Sequence, residues 1–162
     1  MNDDQVKDVV NEYLERTLPL DVYILDMDWH TKQGWGGYSF DQRLFPVPSA
    51  TLGWLKRRDL HVGANLHDDD GVRPTENMHD QMCTALGMNP ATCGTVPFSM
   101  VNQSIVYALE DVVLKDVENQ GMDFWWIDWC DCFFILFPVF HSFVSHSSKM
   151  QTQATGWHTR RL

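Results

Sequence analysis

Apolar positions recur with a helical period at the start of the chain and then give way to a short apolar run. The period predicts a helix over residues 3–18, because its apolar side chains fall three or four positions apart. Asn2 or Asp3 can cap the start of this helix, and Pro19 closes its end. The next segment, "LDVYILDMDW", is rich in β-branched and aromatic residues and ends in acids, which predicts a strand.

The same succession of helix and strand continues along the chain. Gly, Pro and aromatic residues over 30–49 predict a long loop, and Ser49 can cap a helix that ends near Arg58. The run "LHVGANL" predicts a second strand, which again ends in charge. Helices over 75–86, with Gly87 as the stop, and over 102–119 lead into a third strand in "MDFWWIDW". Strands that alternate with helices pair in parallel, so we predict an α/β fold.

The character of the chain changes after Trp129. Of the 162 residues, 44% are hydrophobic and 21% are charged, as in a globular domain. Residues 130–162, however, pass from a phenylalanine-rich run to a Ser-, Gln- and Thr-rich basic tail, without the period of a helix or a strand. We expect them to form a poorly ordered C-terminal tail outside the domain.

The charge of the chain excludes some classes of partner. The 22 acids outnumber the 12 Lys and Arg residues, for a net charge of -10, and the basic residues form no stripe that could follow phosphates. We therefore expect no nucleic-acid partner. The acidic, amphipathic N-terminus is no secretory signal, and the apolar run "FFILFPVF" is far shorter than the roughly 20 residues of a membrane helix, so we expect no membrane partner. Oligomeric state and localisation have no signal in the sequence.

The four cysteines lack the spacing of a known site. They are Cys83, Cys93, Cys130 and Cys132, and none of them has the two-residue spacing of zinc ligands. The chain is also too large to resemble a small disulfide scaffold. We interpret the cysteines as mostly incidental thiols.

Acidic residues follow each of the three predicted strands. Asp26 and Asp28 come after the first strand, Asp68 and its acidic neighbours after the second, and Asp128 after the third. The carboxyl ends of parallel strands lie on one side, so we expect these carboxylates to converge there. For any one of these acids, the alternative is that it caps a helix or lies in a solvated loop.

Tryptophans accompany these acids. Trp29, Trp35, Trp126 and Trp129 lie on or just after the same strand ends. An indole stacks on the apolar face of a sugar ring while carboxylates accept hydrogen bonds from its hydroxyls, so a carbohydrate is the ligand that fits. The alternative for these aromatics is core packing. We expect core packing for one of Trp125 and Trp126, because adjacent strand residues face opposite ways.

A divalent metal site is the rival interpretation. His30, His67, Asp26, Asp28 and Asp68 could supply imidazole and carboxylate ligands. However, the chain has no HExxH pair, and "HDDDG" lacks the alternate acids and the closing Glu of a calcium loop. GxGxxG and GxSxG are also absent, so nucleotide binding and serine hydrolysis have no support. We expect no cofactor and no metal.

Three blocks of the sequence occur in an order that is specific to one family. They are "PLDVYILDMDWH", "GWGGYSFDQRLFPVPSATLGWLKRRDLHVGANLHDDDGV" and "GMDFWWIDW", over roughly residues 3–129. They hold a D-x-D-aromatic strand end, an FP-x-P entry to the next helix and a W-I-D strand end. These blocks resemble the catalytic barrel of glycoside hydrolase family 31, the α-glucosidase and α-xylosidase family.

The resemblance implies an incomplete (β/α)8 TIM barrel, about strands 2 to 4 with their helices, and retaining hydrolysis of α-glycosidic bonds. Asp128 matches the family nucleophile, which forms a covalent glycosyl-enzyme while a second carboxyl about 5 Å away protonates the leaving oxygen. Asp26 matches the acid that holds hydroxyls of the cleaved sugar. The other positions matched to substrate binding are Asp28, Trp29, His67, Trp126 and Trp129; for Asp28 and Trp29, organising the loop is the alternative.

The resemblance also implies that parts of the enzyme are missing. The family acid/base is an aspartate on a later strand, and residues 129–162 hold no matching motif. Asp131 lies too close in sequence to Asp128 to serve as this acid/base. A barrel of this type takes about 250 residues, and three strands cannot close one. We therefore expect a fragment or a faulty gene model of a larger glycosidase, inactive alone and with exposed strand edges that favour aggregation.

Two other functions remain open at this point. One is a non-catalytic carbohydrate-binding remnant, and the other is a metal-dependent hydrolase. The preferred sugar and aglycone have no signal in the sequence, because the distal subsites of such enzymes come from regions that do not match this chain.

Overall fold

The alternation of helices and strands is present in the structure, a computed structural model that describes residues 1–31, 34–68 and 70–128. The three strands form a parallel sheet in the order β1-β2-β3. The elements are α1 Asp3–Glu15, β1 Val22–Leu25, α2 Pro48–Lys56, β2 His61–Leu66, α3 His79–Ala85, a 3-10 turn Pro90–Thr92, α4 Gln103–Ala108, a π-helical segment Leu109–Leu114, α5 Lys115–Asn119 and β3 Phe124–Ile127. The predicted α/β class is confirmed.

Helix α1 begins where its sequence can satisfy the first amides. The Asn2 side chain accepts from the Gln5 amide, and the Gln5 side chain accepts from the Asn2 amide, both at 2.9 Å. The helix ends at Glu15, three residues before the predicted end, because Thr17 takes a φ of 56° that a helix cannot contain. Of the two candidate caps, the structure uses Asn2.

Two predicted helix starts differ from those in the structure. Ser49 is not a cap but lies inside α2, because Pro48 occupies the first turn and Val47 is the N-cap. Helix α3 begins at His79 rather than near residue 75. The intervening residues make turns, in which the Glu76 amide donates to Arg73 O and the His79 amide to Glu76 O.

The two long C-terminal helical predictions end as the sequence indicates. Gly87, with a φ of +72°, closes α3 by donating to Thr84 O at 2.9 Å. The predicted helix over 102–119 is one continuous segment, capped by the Asn102 side chain. Its middle turn, Leu109–Leu114, is π-helical, which sequence periodicity did not reveal.

One face of the sheet carries the main hydrophobic core. Helices α1, α2 and α5 pack there against alternate residues of the strands. The fully buried side chains of this core include Val6 and Val10 from α1, Leu52 and Leu55 from α2, Val62 and Ala64 from β2, and Val117 from α5. The opposite face is more open, with Val22, Ile24 and Trp126 each more than 40% exposed.

A second core lies beside the carboxyl end of β2. It joins Leu66, Met82, Val96 and Val113, and Trp125 packs against both cores. Within it, Cys83 and Cys93 form a disulfide with a Cα–Cα distance of 6.2 Å. The interpretation of these two cysteines as incidental thiols is therefore wrong, because the turn at Pro90–Thr92 returns Cys93 to α3 across a short loop.

The predicted tail, residues 130–162, lies outside the described residues, and so do Cys130, Cys132 and Asp131. No helix in the described part of the chain has both the length and the apolar character needed to cross a membrane.

Candidate functional site

The strand register places the candidate residues at one edge of the sheet. Leu25 of β1 lies opposite Ala64 of β2, and Leu66 of β2 lies opposite Ile127 of β3. The residues that follow these strands therefore emerge together, with β2 in the centre. Asp26 follows β1 and Asp128 follows β3, on either side of the end of β2.

The Asp128 carboxylate is held from the side of β2. Its Oδ2 accepts a hydrogen bond of 3.2 Å from Asn65 Nδ2 and lies 3.9 Å from His67 Nε2. The Asp128 amide donates to Leu66 O at 3.0 Å, which extends the β2–β3 pairing by one residue. The side chain is 30% exposed, so Asp128 is both fixed and accessible.

His67 is buried beside Asp128, with an exposed fraction of 7%. Its Nε2 has no hydrogen-bond partner within the described part of the chain. Buried polar atoms are nearly always paired, so an orphan nitrogen next to a carboxylate marks a position where a polar group of a ligand can bind. The His67 ring also packs against Trp35 in an edge-to-face arrangement, with centroids 5.7 Å apart.

Asn65 is a site residue that the sequence reasoning missed. Its side chain is 2% exposed and donates to Asp128, while its backbone carbonyl accepts from Trp29 Nε1 at 2.8 Å. The available signal was a lone polar residue in the apolar run of β2, since a buried amide needs a partner. The local sequence does not indicate that the partner of the Asn65 side chain is Asp128.

Trp29 does not lie where a substrate ring could stack on it. It is 1% exposed and packs edge-on against Phe40, with ring centroids 4.9 Å apart. Its indole nitrogen donates to Asn65 O, so Trp29 supports the end of β2 from within the core. This position corrects the substrate-binding prediction for Trp29 in favour of loop organisation.

Asp26 and Asp28 are both exposed at the end of β1. Asp26 Oδ1 accepts from the Met27 amide at 2.8 Å, and Asp28 has a φ of 67°. A pocket of about 310 Å³ opens beside Asp28, and its other lining residues are Met27, Gly34 and Trp35. Trp35 is 65% exposed there, so it offers an indole face to solvent.

The two described acids after β2, Asp68 and Asp70, are engaged in loop contacts. Asp68 is 2% exposed and accepts from the Tyr38 hydroxyl at 2.8 Å. Burial raises the pKa of Asp68, although Tyr38 and His67 oppose the rise. Asp70 pairs with Arg73 and accepts from the Gly36 amide at 3.1 Å. Asp26 and Asp128 both follow strands that end at this edge, and the convergence of their carboxylates stays a prediction; Asp69 lies outside the described residues.

The two adjacent tryptophans of β3 divide as predicted. Trp125 packs against both hydrophobic cores, and its indole donates to Glu118 at 3.2 Å. Trp126 points to the open face of the sheet and is 43% exposed, next to Asn65 in the register. Trp126 is therefore accessible, whereas Trp129 lies outside the described residues.

Asp123, at the entry of β3, has a structural role. Its carboxylate contacts Lys56 Nζ at 2.7 Å and accepts from the Val62 amide at 2.9 Å. Burial alone would raise the pKa of Asp123, but Lys56 and the Val62 amide hold it below its usual value. Of the two acids that flank "FWWI", Asp123 is therefore paired with Lys56, whereas Asp128 accepts from Asn65.

The rival metal ligands are not gathered in the described residues. His30 turns its two ring nitrogens to the carbonyls of Thr31 and Trp35, each at 3.1 Å, so it is engaged elsewhere. In the part of the chain that the structure describes, three ligand-type side chains come within 4.8 Å of one another only at His79, Cys83 and Cys93. That cluster lies in the second core, and it includes none of the rival ligands.

Comparison with known families finds one that covers nearly all of the chain. The sequence profile described as "Glycosyl hydrolases family 31 TIM-barrel domain" matches residues 1–159. The matched range runs past Trp129, where we expected the motif resemblance to stop. The domain boundary at that residue stays a prediction.

The individual relatives that match the chain are named alpha-xylosidases. An alpha-xylosidase of Saccharolobus solfataricus is 27% identical over 128 residues, covering 77% of this chain and 16% of the relative. A crystal structure of a GH31 alpha-xylosidase from a soil metagenome, complexed with xylose, has a TM-score of 0.59 at 20% identity and covers 78% of this chain and 20% of that one. A GH31 alpha-xylosidase of Xanthomonas citri has a TM-score of 0.60 at 17% identity, covering 78% of this chain and 15% of that one. The chain thus spans a fifth or less of the length of these relatives.

Proposed function

Because the chain belongs to glycosyl hydrolase family 31, we propose that it is part of a retaining α-glycosidase whose nucleophile is Asp128. The observation that carries this proposal is the hydrogen bond by which Asn65 holds the Asp128 carboxylate at the carboxyl edge of the sheet, with His67 Nε2 unpaired 3.9 Å away. Reactive groups of parallel barrels lie at this edge. In the proposed enzyme, the bond that breaks joins an α-linked sugar to its leaving oxygen.

The contacts of Asp128 suit nucleophilic attack. Asn65 and His67 both approach Oδ2, and no hydrogen bond to Oδ1 comes from the described residues. One oxygen is thereby fixed while the other can attack the anomeric carbon to form a glycosyl ester. A carboxylate whose rotamer is fixed in this way loses less entropy when it reaches the attacking geometry.

The surrounding side chains suit a sugar ring. Trp126 and Trp35 expose indole surface near the same edge, and the pocket beside Asp28 is lined by both a carboxylate and the Trp35 indole. Asp26, which is exposed at the end of β1, is proposed to accept hydrogen bonds from sugar hydroxyls. His67 Nε2, which is buried and unpaired, can donate to a hydroxyl or to Asp128 itself.

The substrate class is proposed from the relatives. They are named alpha-xylosidases, so an α-xyloside is the first substrate to test in place of the α-glucoside that the motifs also suggested. A glucoside differs from a xyloside by one hydroxymethyl group at C5. A preference for either sugar would therefore reveal whether that group is accommodated.

The acid/base is proposed to come from outside this chain, because residues 129–162 hold no motif that matches it. Hydrolysis of an ordinary α-xyloside needs that group to protonate the leaving oxygen, so the 162-residue chain is predicted not to turn over a 4-nitrophenyl α-xyloside. Ready turnover by the purified chain would contradict this assignment. A fluoride leaving group needs no such proton, which separates the nucleophile from the acid/base.

The test of the nucleophile uses 5-fluoro-α-xylosyl fluoride with the 162-residue chain. Fluorine at C5 slows both steps by destabilising the oxocarbenium-like transition state, while the fluoride leaving group allows the covalent sugar to accumulate. Intact mass spectrometry should show one added fluoroxylosyl group, and peptide mapping should place it on Asp128. Asp128→Asn should abolish the label.

Asp123→Asn is the matched control, because Asp123 lies at the other end of the same strand and pairs with Lys56. The control should be labelled like the wild type once circular dichroism shows that both are folded. Label on another carboxyl would overturn the assignment to Asp128.

A carbohydrate-binding function without chemistry is the second candidate. The exposed Trp35 beside the pocket of about 310 Å³ favours it, since that surface could hold a sugar without help from Asp128. Binding of xylose that survives in Asp128→Asn, together with an absence of label on the wild type, would support this candidate. Xylose titration followed by tryptophan fluorescence measures the binding.

A further inference from the structure

Three reactive side chains meet in the second core, away from the proposed catalytic residues. His79 and Cys83 lie one turn apart on α3, and Cys93 joins Cys83 in a disulfide. The side chains of His79, Cys83 and Cys93 are 2%, 0% and 8% exposed. A protonated histidine beside a cysteine sulfur favours its thiolate form.

We propose that His79, Cys83 and Cys93 form a thiol–disulfide exchange site whose substrate is a small dithiol or glutathione-type thiol. In this site, Cys93 is the sulfur attacked by the external thiol, and Cys83 is the leaving sulfur. His79 positions and stabilises the Cys83 thiolate. The site responds to the redox state of the surroundings independently of any glycosidase activity.

The ring of His79 lies close enough to Cys83 to stabilise a thiolate there. Its Nε2 lies 3.4 Å from Cys83 Sγ and 2.8 Å from the Gly94 carbonyl, and its Nδ1 lies 3.0 Å from Asp80 Oδ1. Both oxygens are acceptors, so a protonated ring can donate to each of them at once. A protonated ring also places a positive charge beside Cys83, and a thiolate leaves faster when it is stabilised.

The difference in burial sets the direction of attack. Cys93 lies between the exposed residues Thr92 and Gly94, and a Cβ built on Gly94 meets nothing within 4 Å. Cys83 is fully covered by the helix and the core. An external thiol therefore reaches Cys93 first.

The exchange is balanced with a dithiol as reductant. A dithiol thiolate attacks Cys93 Sγ, the Cys83–Cys93 bond breaks, and Cys83 leaves with the electron pair. The second thiol of the dithiol then displaces Cys93 and closes a cyclic disulfide. The dithiol loses two electrons and two protons, and the cysteine pair gains both as two thiols.

The disulfide holds a segment that reaches the loop after β2. Two residues beyond Gly94, Val96 exchanges two backbone hydrogen bonds of 2.9 Å with Val72. The Val96 carbonyl also lies so close to Gly71 that a Cβ there would meet it at 2.4 Å. Opening the disulfide should loosen this segment from the loop that carries Asp68 and Asp70, so reduction has a structural consequence near the strand ends.

A zinc site built from the same three side chains is less consistent with these contacts. His79 Nε2 already faces the Gly94 carbonyl, and the two sulfurs are bonded to each other. Zinc would need both thiolates and the ring nitrogen together. A purified chain that carries one zinc ion and two unlinked cysteines at these positions would overturn the proposal.

The test measures the rate of disulfide reduction in the full 162-residue chain. The chain is purified without reductant, treated with dithiothreitol at pH 7, quenched with N-ethylmaleimide at timed points, and mapped by peptide mass spectrometry. The wild type should begin with Cys83 linked to Cys93. His79→Gln should slow the reduction by roughly threefold or more, because the departing thiolate loses the imidazole ring that contacts it.

The direction of this effect separates the proposal from a packing role. If His79 only packed the core, its replacement would open the site and speed the reduction. His61→Gln is the matched control, since His61 is 75% exposed at the start of β2, and it should reduce at the wild-type rate. An unchanged or faster rate in His79→Gln, or free thiols at Cys83 and Cys93 in the chain purified without reductant, would overturn the proposal.

Hydrogen exchange tests the structural consequence. Reduction should speed amide exchange at Val72 and Val96 while leaving the β1–β2 amides unchanged. Equal exchange before and after complete reduction would contradict the role of the disulfide in holding this segment.

Discussion

At the scale of single residues, aspartates have different roles according to their contacts. Asp128 is 30% exposed and held by Asn65, whereas Asp68 is buried and accepts a hydrogen bond from the Tyr38 hydroxyl. Asp41 is nearly buried and bound by Arg43. Chemistry at the strand ends therefore depends on which carboxylates are left accessible, not on how many acids are present.

Asp41 gives a pH dependence that can be measured. The Arg43 guanidinium donates to both carboxylate oxygens, at 3.0 and 2.6 Å, and together with the Arg43 amide it lowers the pKa of Asp41 from 3.8 to about 2. A lowered folded-state pKa stabilises the protein above the unfolded value near 3.8, and this contribution is lost as the pH falls through about 2. Asp41→Asn should therefore lower the free energy of unfolding at pH 7, and its difference from the wild type should shrink between about pH 4 and pH 2.

Urea unfolding followed by tryptophan fluorescence at several pH values checks this expectation. Arg43→Gln should reproduce the loss, because it removes the other half of the same interaction. A difference between Asp41→Asn and the wild type that stays constant down to pH 2 would show that the pair contributes no proton linkage.

At the scale of elements, the loops after the strands pack tightly against the strand ends. A Cβ on Gly36 would meet the His67 carbonyl at 2.4 Å, and that contact is with backbone, which cannot turn aside. The Gly36 amide also donates to Asp70, so the loop after β1 is tied to the loop after β2. This packing fixes Trp35 beside His67.

Gly36→Ala should therefore lower the free energy of unfolding by about 1–3 kcal/mol, as overpacking does in well-packed sites. Gly94→Ala is the matched control, because a Cβ there has open space. The control should leave stability unchanged or raise it by about 0.5 kcal/mol through the unfolded chain. Denaturant titration of both variants measures the difference, and equal stabilities would refute the tight contact at Gly36.

At the scale of the whole molecule, the described residues supply three strands of a fold that needs eight to close. In the described residues, β1 and β3 each pair with β2 alone, and the sheet face opposite the main core exposes Val22, Ile24 and Trp126. In a closed barrel, such positions point inward and are filled by side chains from other strands. The open face and the outer strand edges are the surfaces on which this chain should associate.

The chain is therefore predicted to self-associate as its concentration rises. Ile24→Lys should weaken the association, because it places a charge on the open face, where Ile24 is 41% exposed. Val101→Lys is the control, since Val101 is 80% exposed in a loop. Sedimentation velocity over a concentration series distinguishes them, and equal association of the two variants would show that this face is not involved.

The sequence was sufficient for the order and class of the elements. The period of α1, the apolar runs of the strands, and the stop at Gly87 are local signals, because the physical preference that produces each lies within a few residues of it. It also placed Asp26 and Asp128 at strand ends, since the end of an apolar run is visible in the sequence. Ser49 failed as a cap for a local reason too, because Pro48 competes for the first turn.

What only the tertiary structure decided are contacts between residues far apart in the chain. The hydrogen bond from Asn65 to Asp128 spans 63 positions, the burial of Trp29 depends on Phe40 and Trp125, and the pairing of Cys83 with Cys93 depends on the return of the chain after Pro90. The sequence by itself determined which side chains could do chemistry and where the strands end. The fold determined which of them meet, because packing brings distant segments together by burying apolar surface, and no local preference specifies that choice.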